Sequence, residues 1–181
     1  HVLAQEVGLR VPELKQLVMS LQARWAIPQI EVAKGDDAVA IIVRHLEPLS
    51  EQDQAALQGF CEQYQLQLYL QPGGNDTVHK VWPNGEERLS YGLPGYDLEM
   101  KFHPSDFTQV NQEINQHMIE RALAYMNVQP DERILDLFCG LGNFTLPLAT
   151  KAAEVVGVEG DDAMVVRGRE NAEHNLSLIH I

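Results

Sequence analysis

Apolar residues recur along the first hundred residues at two spacings, and each spacing predicts a different element. After Pro12 they repeat at helical spacing, which predicts a helix with one apolar face made of Leu14, Leu17, Val18, Leu21 and Trp25. On either side of residues 34–37 (Lys-Gly-Asp-Asp) they form two strand-like runs, at 30–33 and 38–46. That arrangement predicts a β-hairpin.

Further elements follow in the same part of the chain. Ser50 and Asp53 resemble a helix-capping pair and predict a helix that runs to about residue 65. A strand at 66–71, a loop at 72–76 and strand-like segments at 78–82, 88–91 and 98–103 come next. Because helices and strands are mixed without a repeating order, we predict an α+β domain over residues 1–103.

The pattern changes after Pro104. Ile114, Met118, Ala122 and Tyr125 lie at helical spacing and predict a helix over 110–126. A buried strand beginning at Arg133, a glycine turn, a helix over 143–151, a strand over 155–158 and a helix over 162–174 follow. This alternation predicts an α/β fold, in which residues 104–175 are the truncated start of a Rossmann-like domain. With two strands of the sheet present, we expect an unpaired edge and an exposed apolar face.

The glycine turn carries the strongest chemical signal. Asp136 lies near the end of the first strand, Gly140 and Gly142 form the turn, and Glu159 follows Gly142 by seventeen residues at the end of the second strand. A glycine turn with an acid about 20 residues further on is the layout that holds a nucleoside. The glycines let the ligand approach the backbone, and the acid accepts hydrogen bonds from ribose hydroxyls.

The identity of the nucleoside depends on the spacing within the turn. A dinucleotide site has a third glycine in the pattern G-x-G-x-x-G, where this chain has Thr145. Asp136, four residues before Gly140, instead fits the D-x-x-x-G-x-G pattern of S-adenosyl-L-methionine (SAM) methyltransferases. SAM is therefore the predicted cofactor. An NAD(P)-binding oxidoreductase and a strand–turn–helix without ligand are the alternatives.

Three segments resemble one family. DFTQVN at 106–111, LDLFCGLGNFTLPLA at 135–149 and VGVEG at 156–160 are similar to bacterial RNA (uracil-C5)-methyltransferases, and most specifically to members that act on 23S rRNA. The resemblance implies a SAM-dependent methyltransferase domain and 23S rRNA as the macromolecular partner. Four cofactor-binding residues follow from the resemblance, and the turn adds Gly140. The predicted cofactor-binding residues are Gln109, Phe138, Gly140, Asn143 and Glu159.

Each predicted site residue also has an ordinary structural explanation. Gln109 and Asn143 lie near predicted helix starts, where Asn is a favoured cap. Phe138 could belong to the core, and Glu159 could be a solvent-exposed strand end. In the functional interpretation, Gln109 offers an amide, Phe138 an apolar wall or its backbone, and Asn143 a hydrogen bond to the amino-acid end of the cofactor.

The family's reaction needs groups that this chain does not contain. The resemblance implies a cysteine thiolate that adds to uracil C6 and a base that removes the C5 proton, both further along the parent chain. We assign no catalytic role to Cys61 or Cys139, and no metal ligands. The resemblance also raises a 4Fe-4S cluster, whose four cysteines would precede His1. We therefore interpret the chain as an interior piece that is inactive alone, with residues 176–181 as a non-native tail.

Charge argues against RNA contact by these residues. The net charge is −13, and acids outnumber Lys and Arg by 14 to 7 in residues 1–100 and by 12 to 6 in residues 101–181. RNA-binding surfaces are basic, so we expect the RNA to bind other segments. One alternative gathers Lys34, Arg44, Lys80 and Arg88 on one side, and another makes the first hundred residues a non-enzymatic RNA-binding domain. No protein partner is inferred.

Few cysteines and the lack of a long apolar run bear on location. Two cysteines without a secretory signal indicate a reducing compartment, which predicts a cytoplasmic protein. No run approaches the 18 apolar residues of a transmembrane helix, so we predict no membrane contact.

Overall fold

The polypeptide divides into two units. The structure, a computed structural model, describes residues 4–175 together with the backbone of Ile179 and His180. The first unit comprises the residues up to Leu89 and His103–Ser105, and the second comprises Ser90–Phe102 and the residues from Asp106 onward. The domain boundary expected at Pro104 stays a prediction, and the segment Ser90–Phe102 groups with the second unit.

The first unit is built around a mixed four-stranded sheet. Its order is β1-β2-β3-β4, in which β2 and β3 are parallel and the two outer pairs are antiparallel. In chain order the elements are α1 (Gln5–Gly8), α2 (Val11–Ser20), a 3₁₀ turn (Arg24–Ala26), β1 (Gln29–Lys34), β2 (Val39–Arg44), α3 (Glu51–Gln63), β3 (Gln67–Gln71), a 3₁₀ turn (Asn75–Thr77) and β4 (His79–Trp82).

The predicted hairpin is confirmed and forms the edge of this sheet. Lys34 pairs with Val39, and the turn closes where the Gly35 N–H donates to the Ala38 carbonyl at 2.9 Å. The inner strands β2 and β3 are joined by α3, and α2 and α3 supply side chains to the core on one face. Ile41, Leu57 and Leu68 are fully buried there. Burial of this apolar surface is the main stabilising contribution to the unit.

The predicted cap of α3 is confirmed, but its second half differs from a capping box. Ser50 Oγ accepts from the Asp53 N–H at 3.1 Å. The Asp53 carboxylate, which is buried, accepts instead from the N–H groups of Gln22 and Ala23, at 2.9 and 3.0 Å. It thereby ties the first turn of α3 to the chain just after α2.

The predicted apolar face of α2 is correct up to Leu21 and wrong for Trp25. The helix ends at Ser20, and Leu21, whose ψ of 148° is extended, packs its side chain into the core. Trp25 lies beyond that break in the 3₁₀ turn and is 83% exposed. Helical spacing places residues on one face only while the helix continues.

The second unit combines a two-stranded ribbon with a three-stranded parallel sheet. In chain order its elements are β5 (Leu89–Leu93), a 3₁₀ turn (Pro94–Tyr96), β6 (Leu98–Phe102), α4 (Gln112–Met126), β7 (Arg133–Leu137), α5 (Thr145–Ala149), β8 (Glu154–Val158), α6 (Asp162–His174) and β9 (Ile179–His180). Strands β5 and β6 pair with each other and are called the β5–β6 ribbon below. The helix predicted over 162–174 is confirmed, whereas α5 is shorter than the predicted helix over 143–151.

The parallel sheet has one strand more than the two predicted. Its order is β7-β8-β9, with Leu135 opposite Val156, and Val155 opposite Ile179. The predicted non-native tail lies outside the described residues apart from the backbone of Ile179 and His180, which forms β9. Strand β9 was not predicted, because residues 176–181 were interpreted as lying outside the native fold.

Helix α4 buries a different face from the one predicted. The predicted face is largely exposed, with Ile114 at 51%, Met118 at 37% and Tyr125 at 79%. The buried residues are Asn115, Ile119 and Leu123. Two stripes at helical spacing compete on this helix, and the polar Asn115 hid the buried one from an analysis of apolar spacing.

The exposed apolar face that the sequence predicts is present on the parallel sheet. Leu135 is 60% exposed, Leu137 56% and Val158 47%, so the expectation that the first strand is fully buried is wrong for this face. Strand β7 is also an edge strand among the described residues. Across the described part of the chain, no helix has the length and apolar character needed to cross a membrane.

Candidate functional site

The turn between β7 and α5 has an unusual backbone. Phe138, Gly140 and Gly142 have φ of +63°, +54° and +98°, a region that favours glycine. The Phe138 and Cys139 N–H groups both donate to the Val158 carbonyl, at 2.8 and 3.2 Å, which fixes the turn over the end of β8. Among the described residues other than Gly140 and its two chain neighbours, no atom lies within 4 Å of the place where a side chain on Gly140 would begin, so the Cα side of Gly140 is open to a ligand.

Gly142 is required for packing rather than for ligand access. A Cβ atom there would lie 2.3 Å from Cδ1 of Leu146, which is fully buried. The positive φ adds backbone strain for any other residue. The two glycines of the motif therefore have different roles: Gly140 leaves space for a ligand, and Gly142 leaves space for the side chain of Leu146.

Glu159 is held against this turn by backbone N–H groups. Its Oε2 accepts from the Gly140 N–H at 2.9 Å, and its Oε1 accepts from the N–H groups of Gly160 and Asp161, at 2.7 and 3.0 Å. The Asp161 and Gly140 N–H groups lower the pKa of Glu159, so the carboxylate is charged at neutral pH. Each carboxylate oxygen can accept about two hydrogen bonds, which leaves Oε2 able to accept one from a ribose hydroxyl.

Asn143 turns its side chain into the second unit. Its Oδ1 accepts from the Tyr91 hydroxyl at 2.8 Å and from Asn115 Nδ2 at 2.9 Å, and its Nδ2 donates to Asn115 Oδ1 at 2.8 Å. The helix-cap alternative is wrong for this residue, because α5 has Phe144 at its N-cap position and no side-chain cap.

The other two predicted site residues are exposed. Phe138 is 89% exposed, so the core alternative is wrong and its ring is available beside the turn. Gln109 lies on the exposed loop that leads into α4, whose cap is Asn111 rather than Gln109. Among the described residues the structure joins Gly140 and Glu159 directly, whereas Gln109 makes no hydrogen bond to the turn.

Asp136 and Thr145, which are not among the predicted cofactor-binding residues, complete the turn. Asp136 Oδ2 accepts from the Thr145 hydroxyl at 2.6 Å, and this bond joins the end of β7 to the start of α5. Thr145 is fully buried and occupies the position of the third glycine in a dinucleotide site. A threonine at a position where a dinucleotide site has glycine was therefore the feature of the sequence that could have indicated this contact.

A buried asparagine on α6 also supports the turn. Asn171 is fully buried, its Oδ1 accepts from the Lys101 N–H at 2.7 Å, and its Nδ2 donates to the carbonyls of Lys101 and Leu141 at 3.0 and 3.1 Å. It joins the β5–β6 ribbon to the turn. Helical spacing does not distinguish such an asparagine from one on a solvated face, so sequence reasoning missed it.

Neither cysteine is activated. Burial raises the pKa of the Cys61 thiol to about 12. The pKa of Cys139 is raised by burial and by the negative charges of Asp136 and Glu159. Both thiols are protonated at neutral pH, and a nucleophilic cysteine needs the thiolate.

The alternative that collects basic residues on one side of the first unit is not supported. Lys34 and Arg44 lie at opposite ends of the β1–β2 ladder, where Lys34 pairs with Val39 and Arg44 with Gln29. Lys34 also forms an ion pair with Glu6 at 2.7 Å, which offsets its charge.

Parallel strands joined through a glycine turn, with an acid at the end of the second strand, define the Rossmann-like class of nucleoside-binding folds. Two solved structures share this fold with the chain. The tRNA (uracil-54, C5)-methyltransferase of Pyrococcus abyssi, in complex with S-adenosyl-L-homocysteine, has a TM-score of 0.62 and 19% identity over 83% of this chain and 37% of its own. The tRNA m1G37 methyltransferase of M. jannaschii has a TM-score of 0.54 and 11% identity over 94% and 49%.

Sequence comparison narrows the class to one family. The family model described as tRNA (Uracil-5-)-methyltransferase matches residues 27–181, and the chain belongs to this family. Proteins named 23S rRNA (uracil(1939)-C(5))-methyltransferase RlmD are similar to it. The one from Alcanivorax borkumensis is 56% identical over 176 residues, and the one from Hahella chejuensis is 58% identical over 175.

These matches cover 97% and 96% of this chain but only 40% and 39% of the relatives. The chain therefore spans about 40% of the length of these curated relatives. The predicted resemblance to RNA (uracil-C5)-methyltransferases is confirmed at the level of the family.

Proposed function

We propose that the protein carrying this sequence transfers a methyl group from SAM to C5 of a uracil in 23S rRNA. The observation that carries the proposal is the Glu159 carboxylate, which is fixed by the Gly140 N–H beside an open backbone turn. Relatives more than half identical to the chain, and named for this reaction, supply the substrate class. Since rRNA is modified where ribosomes assemble, we place the protein in the cytoplasm.

The residues of the turn suit the different parts of SAM. Oε2 of Glu159 would accept a hydrogen bond from a ribose hydroxyl of SAM. The exposed ring of Phe138 would give the cofactor an apolar wall. The open backbone at Gly140 would allow close approach, and Gln109 would contribute an amide from the loop before α4. When bound, SAM supplies an electrophilic methyl group on a sulfonium ion.

The chemical step on uracil is assigned to residues outside this chain. Family resemblance implies a cysteine nucleophile and a base further along the parent chain, while Cys61 and Cys139 are buried and protonated. The same resemblance raised a 4Fe-4S cluster with four cysteine ligands. This chain has two cysteines, which do not fit such a cluster.

We retain residues 1–103 and 104–175 as the proposed domains.

Calorimetric titration of an intact protein that carries this sequence tests the cofactor assignment. We expect binding of SAM and S-adenosyl-L-homocysteine in preference to NAD, and a loss of about tenfold or more in SAM affinity for Glu159→Gln, because an amide replaces the charged acceptor. Glu154→Gln is the matched control, since Glu154 lies on β8 but pairs with Arg133. A preference for NAD, or equal effects of the two substitutions, would contradict the proposal.

The substrate is tested with radiolabelled SAM and 23S rRNA. The intact protein should transfer label to uracil C5, and the 181-residue chain should not. Turnover by the short chain would show that the nucleophile was wrongly placed outside it.

A further inference from the structure

We infer that Tyr91 and Asn115 are positioning residues that make Asn143 a hydrogen-bond donor towards the carboxylate of the cofactor's amino-acid end. The three side chains are called the Asn143 brace below. This inference rests on the proposed function, because it concerns how the same turn binds the amino-acid end of SAM. It concerns two residues that the glycine-turn motif does not include.

The brace joins three separate elements of the second unit. Tyr91 comes from β5, Asn115 from α4 and Asn143 from the turn before α5. Tyr91 is 7% exposed and Asn115 2% exposed, so their polar groups have little access to water. Buried polar groups are costly unless they are paired, and here the hydroxyl and the two amides form hydrogen bonds to one another.

The hydrogen bonds of the brace decide which atoms of Asn143 remain available. An amide oxygen has two acceptor positions, and those of Asn143 are filled by the Tyr91 hydroxyl and Asn115 Nδ2, at 2.8 and 2.9 Å. One of the two N–H groups on Nδ2 donates to Asn115 Oδ1 at 2.8 Å. The side chain is left with a single N–H to offer to a ligand.

A side chain that can only donate distinguishes the two charged ends of an amino acid. It can bond a carboxylate, which accepts, but not an ammonium group, which donates. Burial raises the pKa of Tyr91, so its hydroxyl keeps the proton that it donates to Asn143. The reciprocal amide pair with Asn115 holds the plane of the Asn143 amide in place, and the proton that Tyr91 donates favours the orientation with Oδ1 towards the hydroxyl. The brace thus fixes the polarity of this position before the cofactor arrives.

The test compares SAM with 5′-methylthioadenosine, which has the nucleoside and sulfur but lacks the amino-acid end. Calorimetry on an intact protein carrying this sequence should show that Tyr91→Phe weakens SAM binding by about tenfold, the size of one hydrogen bond. Affinity for 5′-methylthioadenosine should stay within about twofold. Tyr69→Phe is the matched control, because Tyr69 is likewise buried and its hydroxyl donates to Gln67 in the first unit.

A second pair of variants shows whether Tyr91 acts through Asn143. In an Asn143→Ala background, Tyr91→Phe should cause no further loss of SAM affinity, because its target is gone. Asn115→Leu should repeat the selective loss of SAM, and thermal unfolding without ligand checks that each variant is folded.

The outcomes separate failure of the brace from failure of the proposed function. If the unsubstituted protein binds SAM but Tyr91→Phe binds it equally well, the brace has no positioning role. Equal losses of SAM and 5′-methylthioadenosine would also overturn the inference, because they indicate general damage to the turn. An unsubstituted folded protein that binds neither ligand would overturn the proposed function itself.

Discussion

The two units each contain a parallel strand pair, β2–β3 and β7–β8, and the pairs differ in how their apolar side chains are covered. Ile41 and Leu68 in the first unit are fully buried. Leu135 and Leu137 in the second are 60% and 56% exposed, although their strand is comparably apolar. An apolar pattern therefore indicates which face a strand is suited to bury, and the cover for that face must come from other elements.

The two strand pairs differ in exposure because different elements are present to pack on them. In the first unit α2 and α3 pack on β2 and β3 within one continuous core. In the second unit the described residues leave one face of β7 and β8 open, in a chain that spans about 40% of its relatives' length. We expect residues of a longer protein to pack on this face, since exposed apolar faces of this kind mark interaction surfaces.

The largest expected effect comes from removing matched leucines from the two strand pairs. Leu68→Ala should lower the free energy of unfolding of the first unit by about 2 to 5 kcal/mol, because it opens a cavity in a closed core. Leu135→Ala should cost less than about 1 kcal/mol in this chain, because that side chain is already largely in water.

Denaturant unfolding measures both variants. Fluorescence reports the first unit, since Trp25 and Trp82 both lie there, and amide exchange on β8 reports the second. Equal costs for the two leucines would break the comparison. In a protein of the relatives' length, the cost of Leu135→Ala should rise towards that of Leu68→Ala. Such a rise would show that other residues cover the exposed face of β7.

Glycines give the next largest contrast. Gly142→Ala should destabilise the second unit by about 2 to 4 kcal/mol, because φ is +98° and the new Cβ would meet the buried Leu146. Gly59→Ala, inside α3 with no atom within 4 Å of the new Cβ, should instead stabilise the first unit by about 0.5 to 1 kcal/mol. Thermal unfolding with amide exchange measures both. A neutral Gly142→Ala would show that Leu146 moves aside freely.

The sequence predicts local features well where one residue determines them. The hairpin at Gly35, the Ser50 cap and the positions of Gly140 and Glu159 all follow from short-range chemistry, and the structure contains each of them. The errors concern features that depend on distant parts of the chain. The buried face of α4 is set by what packs on it, and its polar Asn115 is buried because it pairs with Asn143, 28 residues away.

The candidate site shows the same division. The motif located the turn and the acid, but Tyr91 and Asn171 are 52 and 30 residues from their turn partners Asn143 and Leu141. No periodicity marks a buried polar residue whose partner is that distant. Their roles depend on the tertiary fold, which the pattern of residues along a single sequence does not determine.

Buried amides give a smaller contrast than glycines. Asn171→Ala should destabilise the second unit by about 1 to 3 kcal/mol, because it leaves the Lys101 backbone groups and the Leu141 carbonyl without their partner. Asn84→Ala in the first unit should change stability by less than about 0.5 kcal/mol, because Asn84 is exposed. Amide exchange at Lys101 measures the loss, and unchanged protection there would contradict this role of Asn171.

The smallest expected effect is the acid sensitivity of two glutamates, one in each unit, which differ in what lowers their pKa. Lys34 lowers the pKa of Glu6 through a side-chain hydrogen bond, whereas backbone N–H groups lower that of Glu159. In both cases the folded pKa lies below the ordinary value of 4.5, so the stabilisation is present above that pH and is lost as the pH falls through the folded pKa.

Salt should separate these two glutamates. At about 1 M salt the ion pair of Glu6 is screened, so the difference in acid dependence between Glu6→Gln and the unsubstituted chain should shrink to the part that the backbone hydrogen bond of Glu6 contributes. Glu159 bonds to N–H groups fixed in the turn, so the difference between Glu159→Gln and the unsubstituted chain should persist. Carboxyl titration by NMR between about pH 5 and 2 follows both groups at low and high salt. If salt returned Glu159 to its ordinary pKa, charge rather than the shape of the turn would be holding that carboxylate in place.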